Sequence, residues 1–142
     1  MNIQFSYPAV IEFDGEAFQV HFPDIENAFT YGVTLPEAIH NAEDLLGTML
    51  VSMVKAGEPL PVASVAVNCR YQIAPFPEVA APLALFLLRK QQGKTITEVA
   101  KLLTMTKQRY SDIEKGKNLT LKTLHKAAAA LGASTQIAIT AF

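Results

Sequence analysis

Apolar and polar residues alternate along the first 22 positions of the chain, which is the spacing of strands with one buried face. Apolar side chains stand at every second position from Ile3 to Phe13 and again from Phe18 to Phe22. The Asp14-Gly15 pair between these runs supplies turn chemistry. We therefore predict two antiparallel strands, with Pro8 restricting the first to an edge or a bulge, and a third short strand over 29–33.

The apolar spacing then changes to three and four residues, which predicts a helix. Thr34 can cap its first turn, Glu37 can reach back to complete a capping box, and Gly57 marks its end. The β-favouring segment 62–73 predicts a fourth strand. We expect residues 1–73 to form a βββαβ domain.

The second half of the chain has helical spacing from residue 83 onward. Four short helices are predicted over 83–92, 95–103, 106–115 and 120–131. The tail 135–142 alternates again, which predicts a terminal strand that pairs with a sheet edge or with a second subunit as a dimer. We predict a proline-rich linker over 74–82 and, over 83–142, an all-α bundle followed by this terminal strand. The expected fold class of the whole chain is therefore α+β.

Charge is distributed unevenly between the two halves. Residues 1–78 carry ten acidic and two basic side chains, a net charge of −8, and residues 79–142 carry three acidic and ten basic ones, a net charge of +7. This asymmetry predicts a phosphate-binding module and an acidic module for a cationic partner. One cysteine and three scattered histidines suggest no disulfide, metal or cofactor, and the absence of a signal or spanning segment predicts a cytoplasmic protein without membrane contact.

The segment 95–116 has the features of two helices joined by a turn. Thr95 and Thr106 cap the helices, and the inward positions are Val99, Ala100, Leu103, Tyr110 and Ile113. Arg109 and Gln108 are candidates to read bases, because their side chains can pair in bidentate fashion with guanine and adenine. Lysines 107, 115, 117 and 122 are candidates for phosphate contacts. The full set of predicted DNA-binding residues is Thr106, Lys107, Gln108, Arg109, Ser111, Asp112, Lys115 and Lys117.

Residues 83–131 resemble the helix-turn-helix of the phage repressor (Xre/Cro) family. The matching positions are Ala100, Thr106, Tyr110, Glu114, Gly116, Leu124, Ala128 and Leu131. Ile96 departs from the glutamine that usually contacts phosphate, and Thr104 departs from the glycine of the turn, where left-handed geometry is expected. A helical bundle used only for dimerisation is the alternative interpretation.

The N-terminal half contains a second set of recognisable positions: Tyr7, Asp14-Gly15, Val20, Phe22-Pro23-Asp24-Ile25, Thr30, Gly32, Thr34, Glu37-Ala38, Ala42 and the 57–61 loop. Through these residues it resembles the HicB antitoxins. The resemblance implies an antitoxin whose truncated RNase H-like domain blocks a HicA-type mRNA-cleaving toxin and whose helix-turn-helix represses the shared operon. From charge alone, the toxin-contact residues are predicted to be Asp14, Glu16, Asp24 and Glu26.

Two other functions remain open from the sequence. A ligand-responsive repressor without a toxin partner would use the first domain as a sensor. A carboxylate nuclease would use some of Glu12, Asp14, Asp24, Glu43 and Asp44 to hold metal ions. These acids fall in a turn, at a strand break and on the polar face of a helix, so we expect no catalytic site and no enzyme activity.

Overall fold

The computed structural model describes residues 2–65 and 71–142, and these residues form four strands and five helices. By its internal contacts the chain divides into one unit over Gln4–Phe76 and another that includes Pro77–Phe142. In the described part, the strands and one helix belong to the first unit and four helices belong to the second. The α+β fold class predicted from the sequence is confirmed.

The first unit contains an antiparallel sheet in the order β3-β2-β1-β4. Its strands are β1 (Tyr7–Phe13), β2 (Phe18–His21), β3 (Phe29–Gly32) and β4 (Tyr71–Ile73). The predicted β1–β2 hairpin is confirmed, with Phe13 opposite Phe18. Its turn is held by the Asp14 carboxylate, which accepts from the backbone N–H groups of Glu16 and Ala17 at 2.9 Å each.

Helix α1 (Leu35–Lys55) packs on one face of this sheet. The Thr34 hydroxyl accepts from the N–H of Glu37 at 3.3 Å, as a cap should. The Glu37 carboxylate accepts from the N–H of Val33 at 3.0 Å, so it reaches one residue beyond the predicted partner. The buried face of the helix consists of Ala38, Ile39, Ala42, Leu46, Gly47 and Leu50.

Gly32 sets how closely α1 approaches β3. A Cβ atom at this position would lie 2.3 Å from the backbone nitrogen of Ala38 and 2.7 Å from its Cα. Only glycine therefore fits at this contact between strand and helix.

Two predictions about the strands need correction. β1 is an inner strand and not an edge strand, although it pairs with β2 only from Val10 onward, so Pro8 pairs with β4 alone. β4 covers only three of the residues predicted for the fourth strand. Residues 62–65 form no strand, and Val62 and Val65 are exposed there. The remainder of the predicted fourth strand, 66–70, lies outside the described residues.

The second unit contains α2 (Pro77–Gln91), α3 (Ile96–Leu102), α4 (Lys107–Glu114) and α5 (Leu121–Ala130). The hydroxyls of Thr95, Thr106 and Thr120 each accept from a backbone N–H three residues later, so the last three helices begin where the sequence predicts. Their apolar faces form one core, made of Leu85, Val99, Ala100, Tyr110, Ile113, Ala127, Ala128 and Leu131.

One prediction about this unit is wrong, and a second is only partly tested. α2 begins at Pro77, six residues earlier than predicted, so 77–82 are helical and not part of a linker. Proline suits the start of a helix, and the second proline, Pro82, is buried within it. In the single chain the tail 133–142 forms no strand with the described residues, and Ile137 and Ile139 are 73% and 96% exposed, so pairing with a second subunit stays a prediction.

Candidate nucleic-acid interface

The turn between α3 and α4 follows the hydrogen-bond pattern of a Schellman motif. The N–H of Met105 donates to the Ala100 carbonyl at 3.0 Å, and the N–H of Thr104 donates to the Lys101 carbonyl at 3.1 Å. Thr104 has a φ of +54°, in the left-handed region that the sequence led us to expect. A β-branched residue therefore stands at a position that favours glycine, and the turn is formed nonetheless.

The two helices are held by the predicted inward residues. Val99 and Tyr110 have no exposed surface, and Ala100 and Ile113 are 2% and 3% exposed, while Leu103 packs at the margin of the core. The capping box of α3 is complete, because the Glu98 carboxylate accepts from the Thr95 N–H at 2.9 Å. The backbone geometry of a helix-turn-helix is therefore fixed by local capping and by the core beneath it.

The N-terminal turn of α4 presents polar side chains to solvent. Lys107, Gln108 and Arg109 are exposed, whereas Ser111 and Asp112 are half-buried. Thr106 is exposed but its hydroxyl oxygen is engaged as the cap. Lys115 and Lys117 are exposed just beyond the end of the helix.

One hydrogen bond orders this surface. The Gln108 side-chain amide donates to Asp112 Oδ1 at 3.0 Å, one helical turn further along. Gln108 keeps its carbonyl oxygen and one amide hydrogen for another partner. The carboxylate of Asp112 is thereby directed along the helix toward Gln108.

A buried ion pair, which the sequence analysis missed, connects α2 to α4. Arg89 donates from Nε to Glu114 Oε1 at 2.6 Å and from Nη2 to Oε2 at 2.9 Å, and its Nη1 donates to the Lys94 carbonyl at 2.9 Å. The two side chains are 7% and 6% exposed. The sequence feature that could have predicted the burial of Arg89 is its position four residues after Leu85, on the apolar side of α2.

The Glu114 carboxylate also influences Tyr110, whose side chain lies in the core. The Tyr110 hydroxyl is buried beside Glu114 and makes no hydrogen bond of good geometry within the described residues. Burial raises the pKa of Tyr110 well above its ordinary value, and the nearby negative charge of Glu114 raises it further. Helix α4 is therefore supported by one paired charge and one neutral phenol.

The four predicted toxin-contact acids do not form one cluster. The turn that holds Asp14 and Glu16 and the loop that holds Asp24 and Glu26 lie at opposite ends of β2. Asp14 is engaged within its own turn, where the N–H groups of Ala17 and Glu16 lower its pKa. Asp24 accepts from the backbone N–H and the hydroxyl of Ser64 at 2.8 and 3.0 Å, whereas Glu16 and Glu26 are exposed.

The acids considered for a nuclease site are also dispersed. Glu12 lies on β1 and Glu43 and Asp44 lie on α1, while Asp14 and Asp24 take part in the loop contacts just described. Among residues 2–65 and 71–142, no group of three or more histidine, cysteine, aspartate or glutamate side chains could hold a metal ion. No helix in these residues is long and apolar enough to cross a membrane.

The described residues form a helix-turn-helix unit, and an α+β domain precedes it along the chain. Comparison with known families identifies both parts. Residues 85–137 match the helix-turn-helix family, and residues 6–74 match the family of HicB-like antitoxins of bacterial toxin–antitoxin systems. The chain therefore carries a HicB-like antitoxin domain followed by a helix-turn-helix domain. No curated protein matches the chain.

Proposed function

We propose that this chain binds and neutralises a HicA-type mRNA-cleaving toxin and represses its own operon by binding operator DNA. The pairing of a HicB-like domain with a helix-turn-helix supports both parts of this function. The observation that carries the DNA-binding part is the row of three exposed side chains, Lys107, Gln108 and Arg109, on the first turn of α4. The expected site of action is the cytoplasm, where operator and mRNA are found.

The side chains of this turn have separate tasks in the proposed complex. A recognition helix contacts base edges through its N-terminal residues, so Arg109 would read guanine and Gln108 would read adenine. Because Asp112 holds one amide hydrogen of Gln108, it would fix the orientation in which the glutamine meets the base. Lys107, Lys115 and Lys117 would contact phosphates, which add affinity without reading sequence. Ser111 and Thr106 would contribute hydroxyl contacts beside them.

Arg109→Ala tests the base-reading role. We expect specific operator binding to weaken by about 1–3 kcal/mol while binding to random DNA changes much less. Lys55→Ala, which removes a lysine from α1 in the other unit, is the matched control and should leave operator affinity unchanged. An equal loss on operator and random DNA would assign Arg109 to the phosphates instead.

Lys117→Ala tests a phosphate contact. It should weaken binding to both DNAs and reduce the slope of log affinity against log salt concentration by about one.

Repression through a helix-turn-helix usually requires two copies, because half-sites lie about 34–36 Å apart along the duplex. We therefore propose a homodimer or a larger homo-oligomer. The exposed Ile137 and Ile139 side chains provide an apolar surface that a second copy would cover. Sedimentation of the chain and of an Ile137→Ser/Ile139→Ser variant checks this; a monomer that binds a palindromic operator tightly would contradict it.

Co-expression with the adjacent gene tests the toxin partner. A small basic protein encoded there should co-purify with this chain, and the complex should then be tested for operator binding. Absence of such a gene, together with release from the operator by a small molecule, would favour the ligand-responsive repressor.

A further inference from the structure

The sheet of the first unit has one face that α1 does not cover. Cross-strand pairing puts His21 beside Phe29 and Gln19 beside Tyr31, on the face opposite Val20 and the helix contact at Gly32. We call the surface formed by His21, Phe29, Tyr31 and Val33 the aromatic face. Phe29 is 69% exposed, Tyr31 60% and Val33 64%, while the His21 ring stacks on Phe29 with ring centroids 6.0 Å apart.

Exposed aromatic side chains that lie next to one another are typical of a protein interface. Phenylalanine and tyrosine are enriched at the centres of protein interfaces, and contiguous apolar surface on a folded domain marks an interaction site. The sequence predicted β3 but did not single out its outward side chains. Phe29 and Tyr31 contribute little to the core of the unit. Packing within the chain therefore does not offset the cost of exposing their rings to water.

The charges around the aromatic face are acidic. Glu12 lies on the same face of β1, opposite Gln19, and the exposed Glu16 and Glu26 lie at the two ends of β2. Lys55 and Arg70 are the basic residues that the sequence places within 4–76, against nine acidic ones. Contact between two copies of this unit would bring acid against acid, whereas a basic protein would meet complementary charge.

The edge of β3 is partly closed to strand addition. The Asn41 side-chain amide donates to the Tyr31 carbonyl at 2.9 Å, and the Glu37 carboxylate accepts from the Val33 N–H at 3.0 Å. The Tyr31 carbonyl and the Val33 N–H are thus already paired with side chains of α1. A partner would therefore contact the side chains of the aromatic face rather than extend the sheet.

We propose that the aromatic face is the docking surface for a basic protein, with Phe29 and Tyr31 at the centre and the acidic residues at the rim. This inference rests on the proposed function, in which that protein is the toxin. Cationic side chains of the partner would lie over the two rings and toward Glu12, Glu16 and Glu26. The predicted toxin contacts thereby move from the two acidic loops to the surface between them.

The test measures binding of the full chain to the small basic protein encoded by the adjacent gene, by calorimetry at two salt concentrations. Phe29→Ala/Tyr31→Ala should weaken binding by about 30-fold or more, as loss of interface anchors does. The control is Phe13→Ala, which removes an equally exposed ring, 58% exposed, from the other side of the sheet, and should change affinity by less than about 3-fold. Thermal unfolding of each variant verifies that the unit is folded.

A second pair of variants tests the sign of the partner's charge. Phe29→Lys should weaken binding more than Phe29→Glu, and the difference should shrink at high salt. Equal losses, or a double alanine variant that binds like Phe13→Ala, would overturn the proposed surface while leaving the antitoxin function intact. A change in the self-association of the double variant at unchanged toxin affinity would assign the face to a second copy. No binding by the wild-type chain would overturn the proposed function itself.

Discussion

Removal of Glu114 should unfold the helix-turn-helix unit without changing the exposed side chains proposed to contact DNA. In Glu114→Ala the guanidinium of Arg89 stays buried, loses its two carboxylate hydrogen bonds and retains only the bond to the Lys94 carbonyl. A hydrogen bond to a charged group contributes about 1.5–3 kcal/mol, so the two together give about 3–6 kcal/mol. This agrees with the roughly 3–5 kcal/mol lost when one member of a buried ion pair is removed.

A loss of this size is comparable to the whole stability of a unit of this length. Domains below about 70–80 residues rarely derive more than about 3–5 kcal/mol from a single core. We therefore expect the second unit of Glu114→Ala to be largely unfolded at 25 °C and operator binding to be lost. The first unit should keep its fold.

Hydrogen exchange of the full chain, followed by mass spectrometry, separates the two units. Peptides from α4 should lose protection in Glu114→Ala, whereas peptides from α1 should be unchanged. Glu98→Ala is the matched control, because it removes an exposed carboxylate that only completes a cap, worth about 1 kcal/mol. The double variant Arg89→Met/Glu114→Leu should recover most of the protection, since a buried pair can be replaced by apolar side chains at little cost.

Two results would refute this reasoning. The first is a Glu114→Ala variant as protected in α4 as Glu98→Ala, which would mean that water or another group compensates Arg89. The second is a double variant no more stable than Glu114→Ala, which would mean that packing at this position and not the unpaired charge determines the cost.

Three further changes have expected outcomes. Thr104→Gly should raise the melting temperature, because relief of about 1–2 kcal/mol of left-handed strain exceeds the roughly 0.5–1 kcal/mol entropy cost of glycine; an unchanged or lower value would contradict this. Gly32→Ala should destabilise the first unit by about 3 kcal/mol in urea titration, since its Cβ would meet the Ala38 backbone; wild-type stability would show that α1 can shift freely. The second unit should lose stability as pH rises above about 10, because its buried Tyr110 has a raised pKa and ionises more readily when unfolded; Tyr110→Phe should flatten this alkaline loss, and an identical loss in that variant would exclude Tyr110 as the cause.

The features that the sequence predicted well are those with local causes. Each threonine cap acts on a backbone N–H three residues away, so Thr34, Thr95, Thr106 and Thr120 located helix starts without knowledge of the fold. The Asp14-Gly15 turn located the hairpin for the same reason. The left-handed residue at 104, in contrast, was expected from the resemblance to the repressor family.

The features that it predicted poorly depend on distant partners. The Arg89–Glu114 pair joins residues 25 positions apart, and periodicity alone gives no sign of which charges meet. The start of α2 was missed because Pro82 indicated a break, although a proline is tolerated where burial and packing support the helix. The tail was assigned as a strand because alternation predicts extended backbone without identifying the partner strand, and pairing with a second subunit stays a prediction.

The order in which Arg89 and Glu114 leave the ribosome has a consequence for the life of the chain. When α2 emerges, Arg89 has no counter-ion. The core residues Leu85 and Val99 have no packing partners from α4 until that helix has been synthesised. A chain cut or stalled before Glu114 keeps those side chains open to proteases. Because the same core also contains Ala127, Ala128 and Leu131, the unit can close only after α5 has been synthesised.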